Sequence, residues 1–507
     1  MTTSPAVLRP SGTRGTLLSA ILPGAVDVPV TGVSLDSRAI RPGDLYVALP
    51  GQATHGARFA AQAVAAGAAA VLTDAAGVGL LAGLGVPVVV VDDPRSRMAG
   101  LAAEVYGRPG ERLALYGVTG TAGKTSTTFL LAAGLTAAGQ RVGTIGTIGF
   151  ALAGEQLVSG RTTVTTPESP DLQALLAFLV EHGADAVAME VSSHALALNR
   201  VEGLVFDVAG FTNLGRDHLD FHADQEDYFQ AKASLFRDGR CRTAVVNIDD
   251  PYGVRLAEEL RAGNVPLVTT GAAGDYRPLA IDLAADGSSS VRLGTPAGER
   301  SFALGLLGEF NLRNAATAVA MLDVGGVDLD RAVPGFAEAF VPGRMQRVDL
   351  GAGAPGVVVD FAHTPEAVAA ALEALPPGRR IAVLGCGGDR DQAKRGPMGA
   401  AAANGASVVV VTDDNPRSEA PEAIRAAVLS GAREAATTSG ARVVDGGARA
   451  DAIRLALRLS EPGDWVAVLG KGHETGQELA DRRVPFDDVV VVSRTWADLN
   501  GGGDARA

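Results

Sequence analysis

Apolar residues in this chain fall into short runs with few polar breaks, separated by stretches in which they recur every three or four positions. The runs at 113–118, 184–191, 206–211 and 243–248 are too continuous for strands with one wet face and predict buried ones. Between and after them, 127–139, 171–182 and 227–236 carry apolar positions at helical spacing. Earlier, residues 30–107 alternate DLYVAL, AAVLT and VPVVVV with an Ala-rich helical stretch at 60–66. After the turn Pro342-Gly-Arg344, the runs GVVVD, RRIAVLG, SVVVVTDD and DWVAVLG alternate with helical stretches at 365–375, 419–432 and 450–459. Strand–helix alternation predicts an α/β protein of layers around parallel sheets, with the last four runs in a doubly wound sheet.

A chain of 507 residues exceeds one ordinary core, and its turns divide it. Tyr106-Gly-Arg-Pro-Gly110 closes the first block and Pro342-Gly-Arg344 opens the last. The expected division is a small N-terminal α/β domain at 1–109, a central P-loop ATPase-like domain at 110–342 and a C-terminal Rossmann-like domain at 343–507. The longest apolar run, 79–91, is broken by Pro87 and stopped by Asp92, too short for a bilayer. The N-terminal stretch has no apolar signal core, so a cytoplasmic protein is expected, and a monomer. A net charge of −13 gives no basic field for nucleic acid, and anionic ligands then need local Arg, Lys or Mg²⁺. Two cysteines, Cys241 and Cys386, exclude a disulfide framework.

The candidate chemistry begins with Gly120-Thr121-Ala122-Gly123-Lys124-Thr125-Ser126, set between a predicted strand and a predicted helix. Loop N–H groups and the helix dipole suit nucleotide phosphates, with Lys124 reaching them and the Thr125 hydroxyl taking a place on Mg²⁺. Val118 stands where the strict phosphate-loop pattern has its first Gly. ATP is the expected co-substrate.

In open α/β sheets ligands gather beyond the carboxyl ends of strands, which singles out MEVSSH, TNLGRDHLDFH, DDNPR and GKGHE. Glu190 ends a strand where a Mg²⁺-binding acid normally sits, and His218 is a candidate to bind or orient a second metal. Lys232, on composition alone, reads as a solvated surface lysine. Arg344 and Asp360 flank the domain junction. Arg390 and Arg417 suit bidentate carboxylate binding, and Glu474 suits a substrate ammonium. His473 reads equally as a packed loop residue or a catalytic one. No Ser/His/Asp order or Cys/His zinc spacing is present. The parts fit ATP activating a carboxylate as an acyl phosphate, which an amine then attacks.

The segments GTAGKTS, TTPES, MEVSSHAL, TNLGRDHLDFH, YFQAKASLF, GEFNLRNA, PGRMQRV, VVVDFAHTPEA, DDNPR and GKGHETGQ stand in the order of the Mur ligases of peptidoglycan synthesis. From about residue 31 to 492 the chain resembles that family, most closely its tripeptide-forming, diamino-acid-adding branch. The resemblance implies ATP-dependent ligation of meso-diaminopimelate to the D-Glu γ-carboxylate of UDP-MurNAc-L-Ala-D-Glu. It implies UDP-side contacts at Leu35, Ser37, Gly51, Gln52 and Ala53, and dipeptide-muramoyl contacts at Thr165, Thr166, Ser192 and Arg200. It implies Mg²⁺ on Thr125, Glu190 and a carbamylated Lys232, which displaces the surface-lysine reading. ATP-side asparagines match Asn311 and Asn314. His218, Arg344 and Asp360 match other recurrent polar positions.

For the incoming amino acid, the resemblance implies contacts at Arg390, Asp414, Asn415, Pro416, Arg417, Gly470 and Glu474. Its third domain is expected to close over the second during turnover. Phe361 replaces a usual tyrosine, Val164 stands where some relatives have Asn, and Leu198 where some have Gln. L-Lysine or L-ornithine as third residue is the nearest alternative. A folylpolyglutamate synthetase is disfavoured by the extra N-terminal block with its LDSR segment. A non-catalytic nucleotide-binding protein is disfavoured by the presence of Lys124, Glu190 and Lys232, and a P-loop GTPase or motor by the third block.

Overall fold

The structure is a computed structural model that describes residues 7–51, 54–159, 164–219, 221–283 and 289–501. Gln52 and Ala53 of the expected UDP loop lie outside these residues. The chain forms two compact units. One comprises Met1–Leu279, Arg292–Arg300 and Arg313–Phe336; the other comprises Ala280–Val291, Ser301–Leu312 and Ala337–Ala507.

The first unit opens with a four-stranded parallel sheet: Gly32–Ser34, Asp44–Ala48, Ala70–Thr73 and Val88–Val90, in that order. Helix Pro94–Val105 packs on it. Its start is fixed by Asp93, whose carboxylate accepts from the Arg95 and Ser96 N–H groups, and by Pro94 in its first turn. Met98, Leu101, Ala102 and Val105 meet Leu45, Val47 and Leu72, and the same cluster takes Ala174 and Ala177 from helix Ser169–Glu181.

The second sheet of this unit has six parallel strands in the order Val142–Gly146, Ala186–Glu190, Ala114–Thr119, Phe206–Phe211, Cys241–Asn247 and Leu267–Thr270. Antiparallel Gly149–Leu152 and Glu155–Leu157 extend its first edge. The strand before the phosphate loop therefore lies between those ending in Glu190 and Phe211, with Glu190 opposite Val118 and Phe211 opposite Thr119. This is the switch point at which open α/β sheets bind ligands.

The predicted strand at 206–211 is unchanged, and the predicted 113–118 appears as Ala114–Thr119. Helix Lys124–Ala137 starts three residues before the apolar periodicity does, because polar Lys124, Thr125 and Ser126 form its first turn. Val142–Gly146 has no sequence signal: Gly143, Thr144 and Gly146 dilute its apolar run.

In the second unit, six strands run in the order Gln346–Arg347, Gly356–Asp360, Trp465–Leu469, Arg380–Leu384, Val408–Thr412 and Arg442–Gly447. All but the first are parallel. Ala382, Leu384, Val409 and Val411 face one apolar cluster, and Ile381, Val383, Val408 and Val410 face another. Both faces are covered, as expected of a doubly wound sheet. The two unpredicted strands lie at its edges, where RVVDGG stays partly exposed and Gln346–Arg347 is too short to show a pattern. A hairpin, Gly476–Glu478 with Arg483–Pro485, follows Trp465–Leu469. No described helix is long and apolar enough to cross a membrane.

Candidate active site

The phosphate loop is held from behind by the segment that follows strand Phe206–Phe211. Asn213 accepts from the Ala122 N–H through its side chain (2.9 Å) and from the Thr121 N–H through its carbonyl (2.9 Å). The Thr212 hydroxyl donates to the Ala122 carbonyl at 2.7 Å. Gly123 enters the helix at φ +86°, and a Cβ there would sit 2.4 Å from the Asn314 Oδ1, so glycine is required. Asn314 is thus placed at the loop. Asn311 belongs to the other unit, where its amide donates to the Leu307 carbonyl (2.7 Å).

Two lysines converge on one acceptor. The Lys124 Nζ donates to the carbonyls of Gly120 (2.8 Å) and Thr121 (2.9 Å), and the Lys232 Nζ donates to the same Gly120 carbonyl at 2.8 Å. Lys232 is 1% exposed and sits 4.6 Å from the Tyr228 ring centre. The composition-based surface-lysine reading is therefore wrong. Helix Gln225–Ala233 turns this lysine inward together with Tyr228 and Phe229. Burial, and secondarily the Lys124 charge, hold its amine well below the ordinary lysine pKa.

Glu190 is buried at its strand end and satisfied on several sides. Its carboxylate accepts from the Thr125 hydroxyl (3.0 Å), the Thr147 N–H (2.8 Å) and the Thr147 hydroxyl (3.1 Å). Thr147 was not anticipated; it lies in the turn after Val142–Gly146, the strand that had no sequence signal. The Thr147 and Thr165 hydroxyls are 3.2 Å apart, and the Thr166 hydroxyl donates to the Glu190 carbonyl at 2.9 Å. The Ser192 N–H donates to the Thr166 hydroxyl at 3.1 Å. Arg200 donates to Glu168 (3.0 Å) and to the Thr166 carbonyl (3.1 Å), and Arg95 meets the same Glu168. Thr165, Thr166, Ser192 and Arg200 thus form one patch beside Glu190.

His218 sits at φ +55°, with its ring edge-on to His194 (4.8 Å) and Tyr228 (6.0 Å). The neighbouring Asp220 lies outside the described residues. In the N-terminal sheet, Leu35 and Ser37 follow the end of Gly32–Ser34, and the Ser37 hydroxyl donates to Gln62 at 3.0 Å. The Gly51 N–H closes onto the Thr54 carbonyl at 3.2 Å.

The second unit gathers its polar residues at the carboxyl ends of its sheet. Buried Lys471 donates to Asn415 Oδ1 (3.1 Å), Glu474 Oε2 (2.9 Å) and the Gly476 carbonyl (2.7 Å). Asn415 in turn donates to Glu474 at 2.8 Å, and Lys471 is the first cause that lowers the pKa of that carboxyl against its burial. Asp414 is buried, facing Arg449 at 3.8 Å, and Arg449 is paired with buried Asp488 at 2.7 Å. A Cβ at Gly470 (φ +113°) would lie 2.6 Å from the Asp414 carboxylate. Pro416 shapes the turn, its carbonyl accepting from the Glu419 N–H at 3.1 Å.

Arg417 donates to Glu478 (2.7 Å) and to the Gly388 carbonyl (2.7 Å), while Arg390 is exposed on the same loop cluster. Asp360 accepts from the Met345 N–H at 2.7 Å, and its pKa is raised by burial against the pull of Arg344. Arg344 stacks over the Phe361 ring at 4.7 Å.

Lys471 has no counterpart among the sequence-derived candidates. Replacing it with methionine removes three hydrogen bonds, the one to the Gly476 carbonyl among them, and is expected to lower unfolding stability by about 2–3 kcal/mol. A urea midpoint unchanged from the parent chain would refute that role.

Three family models match in chain order: "Mur ligase family, catalytic domain" at 29–106, "Mur ligase middle domain" at 118–322, and "Mur ligase, glutamate ligase domain" at 343–472. The chain belongs to the Mur ligase family. A UDP-N-acetylmuramoyl-L-alanyl-D-glutamate–2,6-diaminopimelate ligase of Streptomyces coelicolor is 50% identical over 482 residues, covering 93% of each chain. Its Streptomyces avermitilis namesake is 48% identical over 485 residues, covering 94% of each. A solved structure of a ligase of that name shares 32% identity at a TM-score of 0.69, covering 96% of this chain and 99% of that one. Mur ligases are ATP-dependent amide-forming ligases, and in this one the phosphate loop lies beside a strand that ends in the buried Glu190.

His473 in this Mur ligase has its pKa pushed down to about 4, first by burial and then by the Arg344 charge. The folded chain therefore holds this proton less well than the unfolded one. Stability from this residue is complete above about pH 6.5 and is lost as pH falls toward about 4. His473→Asn should flatten that acid limb of the stability curve by on the order of 2 kcal/mol. Coincident curves for the two proteins would exclude it.

Proposed function

We propose that this Mur ligase joins meso-diaminopimelate to the D-glutamate γ-carboxylate of UDP-MurNAc-L-Ala-D-Glu, in cytoplasmic peptidoglycan precursor synthesis, as a monomer. The observation that carries the reading is the DNPR turn of the second unit. It carries Arg417 two residues after Asn415, which donates to Glu474, and Glu478 bridges the two by accepting from Arg417 and donating its N–H to Asn415. Such a set suits a ligand with both a carboxylate and an ammonium group. The diaminopimelate in the names of the relatives at 48–50% identity agrees with it. We divide the chain into a UDP-binding domain at 1–109, an ATP-binding domain at 110–342 and an amino-acid-binding domain at 343–507.

In this reading the N–H groups of residues 120–126 and the Lys124 ammonium bind the nucleotide phosphates, Lys124 leaving the Gly120 and Thr121 carbonyls to do so. The donors beside the loop suit Mg²⁺: a Thr125 hydroxyl and a Glu190 carboxylate already in contact are hard oxygen ligands. Lys232 would complete them as a carbamate, its neutral amine adding to CO₂ with loss of one proton. Bound there, Mg²⁺ would neutralise phosphate charge.

Arg200, Thr165, Thr166 and Ser192 orient the dipeptide so that its γ-carboxylate oxygen attacks the γ-phosphorus and ADP departs. The diamino acid's amine, held through Glu474 and Arg417, then attacks the acyl carbon. Phosphate leaves and the amine's proton passes to solvent. Asp360 and Arg344 hold the turn that opens this region of the second unit.

The test is phosphate release with UDP-MurNAc-L-Ala-D-Glu, ATP and Mg²⁺, comparing meso-diaminopimelate, L-lysine and L-ornithine. Tripeptide with diaminopimelate alone supports the proposal. Preference for lysine or ornithine keeps the ligase and discards the arginine–carboxylate argument.

A further inference from the structure

The guanidinium expected to receive the substrate's distal carboxylate already has a carboxylate on it. Arg417 Nε donates to Glu478 Oε2 at 2.7 Å, and Nη1 donates to the Gly388 carbonyl at 2.7 Å. A two-point grip on an incoming carboxylate needs two parallel N–H donors on one edge of the fork. With Nε taken by Glu478, a two-point grip through the Nε and Nη2 edge requires an exchange of partners.

Main-chain bonds set Glu478 in this position. The Glu478 N–H donates to Asn415 Oδ1 (2.9 Å), its carbonyl accepts from the Arg417 N–H (3.1 Å), and Gln477 donates to the Asp414 carbonyl (2.6 Å). Strand Gly476–Glu478 is thereby latched along the DNPR turn, and its register with Arg483–Pro485 fixes it from the other side. The Glu478 side chain can swing away from Arg417 without any of these bonds changing.

The pair is also weak enough to exchange. The Arg417 and Glu478 side chains are 24% and 48% exposed, a range in which ion pairs contribute little and are readily replaced. By contrast, the Arg449–Asp488 pair beside the same loop is fully buried and structural.

We infer that Glu478 is a resident carboxylate that occupies Arg417 until the incoming amino acid's carboxylate displaces it, and that it thereby sets how strongly the site prefers a substrate with that carboxylate. The inference rests on the diaminopimelate reading above. Glu478 acts in two ways. It competes with the distal carboxylate, raising the KM for diaminopimelate. It also neutralises Arg417 when the bound amino acid lacks that carboxylate, which shields lysine from facing an unpaired guanidinium. Both effects narrow the discrimination that Arg417 alone would impose.

The experiment compares the parent chain with Glu478→Gln and Glu478→Ala, using meso-diaminopimelate and L-lysine at saturating ATP and UDP-dipeptide. Glutamine keeps an acceptor for Arg417 Nε and removes the charge; alanine removes both. Each variant should lower the diaminopimelate KM about 3- to 5-fold, the scale of an exposed ion pair. Each should also widen the diaminopimelate-to-lysine ratio of kcat/KM by a similar factor, with the ATP KM unchanged. An unchanged KM and ratio overturn the inference. So does a raised KM, the result expected if Glu478 itself gripped the substrate ammonium. Absence of diaminopimelate turnover in the parent chain overturns the reading of the function, and this inference with it. Turnover there with unaltered variants overturns the inference alone.

Discussion

Lys232→Met is expected to lower kcat for phosphate release by about 10²–10³-fold while leaving the melting temperature unchanged or higher. The two halves of this result share one cause. The lysine is buried against Tyr228 and beside a second cation, Lys124, and donates to the Gly120 backbone carbonyl. A charged amine there is costly, so the folded chain holds this proton less well than the unfolded one. The sign follows from linkage. Between the depressed folded value and the unfolded value of about 10.4, the unfolded chain binds the extra proton, so the lysine's contribution to stability worsens as pH falls. Methionine removes that penalty, and the variant's advantage should grow toward lower pH.

Under the proposed carbamate, catalysis moves the other way, because the neutral amine is the form that would take up CO₂ and become an anionic oxygen ligand. Lys232→Ala leaves space in the same pocket. Added small carboxylic acids should restore part of its activity by placing a carboxylate where the carbamate stood. Full activity in either variant, measured by phosphate release, would remove Lys232 from the mechanism. A melting temperature lowered by several degrees would show that the lysine's role is structural.

Arg417→Ala should raise the KM for meso-diaminopimelate about 10- to 100-fold, with the KM values for ATP and the UDP-dipeptide within about twofold of the parent. The structure makes this a clean substitution. Arg417 lies on a turn anchored independently by the Asn415–Lys471–Glu474 network, and its side-chain partners are one exposed glutamate and one carbonyl. Fold and phosphate loop should therefore survive its loss. Arg417→Lys keeps a charge and loses the planar fork, so it should recover only part of the affinity. Equal changes in all three KM values would refute a role confined to the amino acid.

Much of this architecture is legible in the pattern of residues. Strands buried on both faces announce themselves as nearly continuous apolar runs, so Val408–Thr412 could be placed from its four consecutive valines and Phe206–Phe211 despite Asp207 and Gly210. The phosphate loop is equally local, since its glycines, Lys124 and Thr125 are adjacent and only need a strand before and a helix after. Strands such as Val142–Gly146 and Arg442–Gly447 escaped notice because glycine and polar residues break the run, and neighbouring strands complete them.

The sequence by itself determined the α/β layers, the order of the blocks and the chemical types of the site residues. These follow from the spacing of apolar positions and from turns a few residues long. Only the tertiary structure decided what those residues touch. Lys232 reaches Gly120 across 112 positions, Glu190 meets Thr147 across 43, and Glu478 meets Arg417 across 61. Burial and charge pairing depend on which distant segments share a sheet edge. That is why a lysine indistinguishable from a surface residue in composition became a desolvated amine, and why the arginine expected to await a ligand holds a carboxylate of its own chain.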